Sequence, residues 1–306
     1  MPHKIRGNLS LPVNYPLLSK MDRGETLINF PFRLSYSRLN QNMDIKHRYG
    51  NLALVAGGSE GLGAAHARYL AASGLDLVLV ARRSEVLEPF AVSLRNTYGV
   101  QVDCLTLDLG QPDAAQHIID QLSGRAIDIL VYNPGYSYIG KFEAQPLQLH
   151  HDIMQINMIT ALDLVYYFGN QMLVRGKGAI VLMASLAGFQ GTGFIATYAA
   201  TKAFDQILAE SLWYEWKSRG VDVIACCAGA TATPNFLNTR PRKQHPLAPK
   251  VQKPEDVVRE CYAHLGKRPS IIAGRANKIA TFFMLRLMSR KSAIRTMGDT
   301  TTEMYM

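Results

Sequence analysis

The chain has 306 residues, 48% of them hydrophobic and 19% charged, with a formal net charge of +9. This is an ordinary globular balance with ample core, and no apolar run approaches the roughly 18 residues of a membrane span. The positive excess sits at the two ends around a net acidic middle, and no basic stripe with interleaved aromatics crosses the chain, which excludes the usual pattern of a nucleic-acid binder.

Residues 1–42 scatter Pro, Asn, Ser and Arg without a period and read as a flexible extension. The opening MPHKIRGNLS has no apolar signal region. Regular alternation starts at Asn51. Strand-length apolar runs fall at Leu52–Ala56, Leu75–Val80, Val100–Leu107, Ile127–Tyr132, Ala179–Met183, Val221–Cys227 and Ser270–Ala273. Helical stretches such as Leu62–Ser73, Ser84–Tyr98 and Tyr198–Arg219 separate them. Strands apolar on both faces and spaced by helices predict a parallel sheet covered on each side, the doubly wound α/β (Rossmann) fold of about seven strands. Cys104, Cys226, Cys227 and Cys261 show no metal spacing and read as small core residues in a reduced, cytoplasmic setting, so no metal is expected.

The first strand runs into "GGSEGLGAAHARYLAASG". Gly57, Gly61 and Gly63 give a G-x-x-x-G-x-G turn that lets backbone approach a pyrophosphate, and the helix opening near Leu62 offers free N–H groups to the phosphates. A nucleotide site is expected here, with Ser59, Glu60 and Leu62 among its contacts. The second strand ends at Arg82 and Arg83, where an NAD site commonly has an acid. Guanidinium forks suit a 2′-phosphate, so NADP(H) is favoured over NAD(H). Asp108, followed by Leu109 at the end of the third strand, meets the adenine edge or caps the next helix. His150 and His151 read as surface or capping residues. Asp205 and Glu210 read as the solvated face of their helix, and Trp213 and Trp216 as core or subunit contact.

With Tyr198 four residues before Lys202, the chain resembles the short-chain dehydrogenase/reductase family. The resemblance runs from about Tyr49 to Ala273. It rests on the glycine turn, on Asn133-Pro134-Gly135 after the fourth strand, on Asn157 in "MQINM", on Ser185 ahead of Tyr198, and on "CAGATATP" with Gly229, Thr231 and Thr233. Ala56, Pro134 and Ala228 depart from the family's usual residues in these loops. The resemblance implies an NADP(H)-dependent oxidoreductase with Asn157, Ser185, Tyr198 and Lys202 as its catalytic set. Asn133, Gly135, Tyr198, Lys202, Gly229, Thr231 and Thr233 would then border the cofactor.

The chemistry asks for these residue types. Hydride transfer to a ketone leaves an alkoxide that must gain a proton, and a free tyrosine, with a pKa of about 10, is a weak donor near neutrality. A cation one helical turn away stabilises the phenolate, and Lys202 is placed to be that cation. Ser185 would donate to the substrate carbonyl. Asn157 would anchor a water that feeds protons through Lys202. The same set run backwards oxidises the alcohol.

The resemblance puts the substrate between the Ser185–Tyr198 segment and the loop after Thr233, where Phe189, Phe194, Ile195, Phe236 and Leu237, with Tyr136, Tyr138 and Phe142 on the other side, would form an apolar wall for a hydrophobic ketone, aldehyde or alcohol. Arg240, Arg242 and Lys243 lie in the substrate loop, about 234–254. They leave a 3-oxoacyl-carrier reductase as an alternative, and a non-catalytic NADP(H)-binding regulatory protein is the other. The family often forms homo-oligomers, and one is expected. Residues 276–297 read as one basic amphipathic helix within a 275–306 tail, docked on the body or on a partner subunit in preference to lying on a membrane surface.

Overall fold

The computed structural model describes residues 45–239 and 251–306. A seven-stranded, all-parallel sheet in the order β3-β2-β1-β4-β5-β6-β7 is built from β1 (Leu52–Ala56), β2 (Asp76–Ala81), β3 (Val102–Thr106), β4 (Ile129–Tyr132), β5 (Gly178–Ser185), β6 (Val221–Ala228) and β7 (Ser270–Ile272). This is the predicted doubly wound fold. The strand order reverses between β1 and β4, and the crevice at such a switch point is where ligands bind in open α/β sheets.

Alternation along each strand divides the core in two. Ala53, Val55, Leu77, Leu79, Val181, Ile224 and Cys226 face one side. They pack there on α2 (Gly61–Ala72), α3 (Ser84–Tyr98) and α9 (Pro254–His264), with the short α1 (Ile45–Tyr49) at the base. Leu54, Val78, Val80, Ile180, Leu182, Val223 and Cys227 face the other. Their partners are α4 (Ala114–Gln121), α6 (Thr160–Arg175) and α7 (Ala196–Trp216). The adjacent Cys226 and Cys227 thus serve opposite faces, both buried and free. Trp216 is a core residue on the second face, as expected, and lies so close to Gly169 that a Cβ there would come within 2.6 Å of the indole.

The amino ends of the strands are closed by carboxylates. Asp128 accepts from the backbone N–H of Asn51 (2.7 Å) and Leu52 (3.1 Å), and Asp76 from that of Gln101 (2.8 Å). Asp222 accepts from Arg48 (2.6 Å) and the Tyr49 hydroxyl (2.8 Å), which ties α1 to β6. Burial and this carboxylate push the Tyr49 phenol far up, so it stays a donor. With that end pinned, the carboxyl end, where open α/β sheets bind ligands, is left open.

Two helical segments are interrupted, the second of them against the sequence expectation of one helix. The residues after β4 form α5 (Leu147–Met154), a π-helical turn (Gln155–Ile159) and then α6. Residues 276–297 are two helices, α10 (Arg275–Arg286) and α11 (Arg290–Tyr305). The break falls where Ser289, as N-cap, accepts from the Ser292 N–H at 3.2 Å and starts a new helix. Docking of this segment's apolar residues is expected on the body or on a partner subunit, and on the body it does not occur: Ile279, Phe282, Phe283, Leu285 and Leu287 are exposed. The 1–42 extension and Arg240, Arg242 and Lys243 lie outside the described residues.

His66 on α2 is fully buried, with Nδ1 3.1 Å from the Tyr262 hydroxyl and Nε2 3.3 Å from the Met183 sulfur. Burial drives its pKa from 6.5 down to about 3. The unfolded chain therefore takes up a proton below 6.5 that the folded chain refuses until about 3, so stability falls as pH drops through this window. At about pH 5 the loss is about 2 kcal/mol, or roughly 4–8 °C in thermal midpoint. A His66→Met variant is expected to lose that much less between pH 7 and pH 5 when melts are compared by circular dichroism. Equal losses would refute the assignment.

Candidate active site

The glycine turn follows β1 and opens α2. The N–H groups of Gly57 and Gly58 donate to the Val80 carbonyl, at 2.8 and 3.1 Å, which folds the turn over β2. Gly57 and Gly61 take left-handed φ of 71° and 55°, where L side chains are strained. A Cβ on Gly63 would come within 1.9 Å of the Gly57 carbonyl oxygen, so only glycine fits. Asn133 Nδ2 donates to that same oxygen at 3.1 Å and ties the end of β4 to the turn. Glu60 is the N-cap residue of α2 but its side chain makes no cap hydrogen bond. With no side chain capping it, the α2 N-terminus can receive an anion. Ser59 and Leu62 lie in the same turn, and Thr233 lies across it, 2.9 Å from where a Gly61 Cβ would be. This cradle fits a dinucleotide.

Arg82 and Arg83 are exposed just past β2. Arg83 is ion-paired with Glu60, which links the second strand to the turn. Asp108 does not cap the next helix: α4 has Asp113 as its N-cap residue, while Asp108 accepts from the Gly110 N–H at 3.0 Å. The Leu109 carbonyl accepts from Thr160 at 2.9 Å. Across the sheet, Gly229 has its carbonyl bonded by Thr231 at 3.0 Å, and the Thr233 N–H, just before the short α8 (Pro234–Asn238), donates to the Thr231 carbonyl at 2.7 Å.

Asn157 sits in the π turn, fully buried. Its Oδ1 accepts from the Tyr136 N–H at 2.8 Å, and its Nδ2 donates to the Tyr136 carbonyl (2.9 Å) and Thr201 Oγ1 (3.0 Å). Thr201 in turn donates to the Tyr198 carbonyl at 2.8 Å. The amide is thus engaged in holding the loop that carries Asn133 and Gly135 against the helix that carries Tyr198. Both its donors are used, so a water could reach it only at Oδ1.

Lys202 is 3% exposed, and its ammonium has three partners: the Met183 carbonyl at 2.8 Å, Asp205 at 3.0 Å and the Pro134 carbonyl at 3.2 Å. Three N–H donors meet three acceptors. Asp205 is therefore no part of a solvated face. It is 1% exposed, and its other oxygen has no partner. Burial raises its pKa, against the nearby ammonium that lowers it. Glu210 is also corrected: it is half-buried and accepts from Ser270 at 2.6 Å and Gln206 at 3.1 Å.

Ser185 ends β5, and its hydroxyl oxygen accepts from the Ala187 N–H at 3.2 Å, leaving its own hydrogen free to donate. The Gly188 turn beyond it packs on the Lys202 backbone, where a Cβ would come within 2.8 Å. Asn157, Ser185, Tyr198 and Lys202 are thereby brought to one end of β4 and β5. Beside Tyr198 a cleft is lined by Tyr138, Phe142, His150, Ile153, Phe194 and Ile195. Among the described residues the Tyr198 hydroxyl has no hydrogen-bond partner. Phe194 holds a left-handed φ of 66° just before α7, and its carbonyl accepts from the Gly140 N–H at 2.9 Å, closing one side of the cleft.

Sequence reasoning missed Thr201, Asp205 and His150. His150 is half-buried in the cleft, stacked on Phe142 at 4.2 Å with Nδ1 2.7 Å from Thr197 Oγ1. The signal for Asp205 and Thr201 was their spacing, three residues after Lys202 and Tyr198. For His150 no local signal exists, since Thr197 is 47 residues away.

Comparison with known proteins identifies the family. The family model for short chain dehydrogenase matches residues 51–244. A 7beta-hydroxysteroid dehydrogenase of Clostridium sardiniense is 30% identical over 236 residues, covering 77% of this chain and 90% of its own. The human "inactive hydroxysteroid dehydrogenase-like protein 1" is 31% identical over 209 residues, covering 66% of this chain and 63% of its own. Among solved structures, one of a 7beta-hydroxysteroid dehydrogenase superposes with a TM-score of 0.79 at 29% identity, covering 83% of this chain and 99% of that one. A short-chain dehydrogenase from Sphingobium yanoikuyae in complex with NADPH gives a TM-score of 0.65 at 29% identity, covering 73% and 87%. The chain belongs to the short-chain dehydrogenase family, the NAD(P)-dependent oxidoreductases that act on CH–OH and C=O groups.

Proposed function

We propose that the protein interconverts a bulky, apolar secondary alcohol and its ketone, with NADP(H) as the preferred cofactor and Tyr198 as the acid and base. The observation that carries this reading is Tyr198, which lines an aromatic cleft, has no hydroxyl partner among the described residues and stands one helical turn from a buried ammonium. The relatives named 7beta-hydroxysteroid dehydrogenase support a fused-ring substrate of the steroid class. NADP(H), when bound, supplies or accepts the hydride. Ser185 donates its free hydrogen to the substrate oxygen and holds it at reacting distance. Tyr198 gives its proton to that oxygen in reduction and takes it back in oxidation. Lys202 stabilises the phenolate and would also hold the cofactor's ribose hydroxyls; its longest present bond is that to the Pro134 carbonyl, at 3.2 Å. Asn157 and Thr201 hold the two loops in register. Arg82 and Arg83 receive the 2′-phosphate, Arg83 sharing itself with Glu60. The chain is read as a homo-oligomer, for which the exposed Tyr166, Val174, Ile207 and Tyr214 on α6 and α7 offer an apolar face.

A non-catalytic, cofactor-binding protein is the second reading, favoured by the relative named inactive. Turnover separates the two. Given NADPH and a panel of steroid and other bulky ketones, the protein should consume the cofactor, and Tyr198→Phe should bind it equally while losing about a thousandfold in turnover. Cofactor binding with no turnover on any panel member would favour the second reading. Turnover within about tenfold of wild type in the variant would remove Tyr198 from its role.

Two further outcomes are expected. Joint Arg82→Ala and Arg83→Ala should weaken NADPH about tenfold or more while leaving NADH nearly unchanged, by fluorescence titration. Equal losses would withdraw the preference. Lys202→Met or Asp205→Leu alone should each cost about 3 kcal/mol by leaving a buried charge unpaired, roughly 6–12 °C of melting temperature. The double variant should recover most of that, and a strictly additive loss would mean the pair is not coupled.

A further inference from the structure

The packing of α10 is inverted. Its inward residues are polar: Asn277 and Thr281 are buried, with Asn277 donating to Gln252 at 2.9 Å and the Ala273 carbonyl at 2.8 Å. Lys278 is paired with Glu260. Its outward residues are apolar, with Ile279, Phe282 and Phe283 each more than half exposed, Leu285 41% exposed, and Leu287 65% exposed just beyond the helix end. A surface helix ordinarily shows its apolar stripe to the core, so this face lacks the cover its residues call for. A contiguous apolar patch of this kind marks an interaction site.

Charge identifies the cover. From Cys261 to Gly298 the chain has no acidic residue. Arg286, Arg290, Lys291 and Arg295 are exposed beside the apolar row, and none has an acidic partner among the described residues. A second copy docking across a two-fold axis would set this patch against itself, bringing four cations of one chain to four of the other with no acid between them. An anionic lipid surface has the opposite character: headgroups for the cations, and an acyl boundary that takes Phe and Leu to a depth of about 5–10 Å. No described helix is long and apolar enough to cross a membrane, so the contact is interfacial. We infer that α10 and the start of α11 form a docking surface for anionic phospholipid membranes. The patch adjoins the cleft, since α11 rests on the loop before Tyr198, with Ile294 3.6 Å from where a Gly191 Cβ would be. The docking itself does not depend on the catalytic reading.

The test is flotation of the full chain with vesicles of phosphatidylcholine alone and of phosphatidylcholine with phosphatidylglycerol. The expected result is retention on the anionic vesicles, about tenfold or more above the neutral ones. Retention should fall by a similar factor in Phe282→Ser/Phe283→Ser/Leu287→Ser and in Arg290→Glu/Lys291→Glu/Arg295→Glu, with unchanged melting curves. The second variant keeps the test decisive should the first not fold. Retention unaffected by the serine changes would mean attraction by charge alone and would overturn the interfacial helix. A dimer in sedimentation velocity that dissociates in the serine variant, with no vesicle binding by wild type, would assign the patch to a second copy. Absence of binding to either vesicle would end the proposal outright.

Discussion

A buried ammonium must be satisfied on every donor or it is not tolerated. Lys202 meets that demand with acceptors from three sources: the end of β5, the loop after β4 and its own helix. The contacts fix the distance between two neighbouring strand ends and the helix that covers them, at the place where the cleft opens. Asn157 and Thr201 repeat the junction one layer out, with main-chain atoms of Tyr136 and Tyr198 as anchors. The geometry around the cleft is therefore set by polar bonds whose loss is costly in a dry interior. Apolar packing alone would leave the loops free to slide.

The two ends of the sheet divide the labour. At the amino end, Asp76, Asp128 and Asp222 satisfy backbone N–H groups or basic side chains and hold α1 and the strands in place. At the carboxyl end the backbone turns sharply, with left-handed glycines at 57 and 61 and a left-handed Phe194, a conformation that costs free energy for a residue with a side chain. Strain collects at the end of the sheet where the glycine turn and the cleft lie, and the opposite edge supplies the stability that supports it.

The sheet was legible in the sequence because each strand is apolar on both faces, a pattern with few other uses. The glycine turn was legible because a Cβ at position 63 would strike the Gly57 carbonyl, so the residue type itself carries the geometry. Asp205 was misread for the same kind of reason in reverse: a carboxylate on a helix is normally solvated, and only the fold shows that three residues after Lys202 points inward. The split of residues 276–297 hung on one serine cap, and the exposure of α10 on tertiary contacts that no periodicity reveals. His150 depended on a partner far along the chain.

The π turn at Gln155–Ile159 has a consequence for how this chain can change. Such a turn is one additional residue held within a continuous helix, and each residue advances an α-helix by about 100°. The helical segments on its two sides are therefore out of phase by that angle. Upstream, α5 aims His150 at Thr197; downstream, α6 aims Leu164, Val165 and Phe168 at the sheet. Both aims are correct only with the surplus residue in place. Shortening the segment by one residue would straighten the helix and force a choice, turning either the wall of the cleft or the core stripe away from its partner. The hydrogen bonds of Asn157 to Tyr136 would go with it, so the length of this stretch is constrained as tightly as its composition.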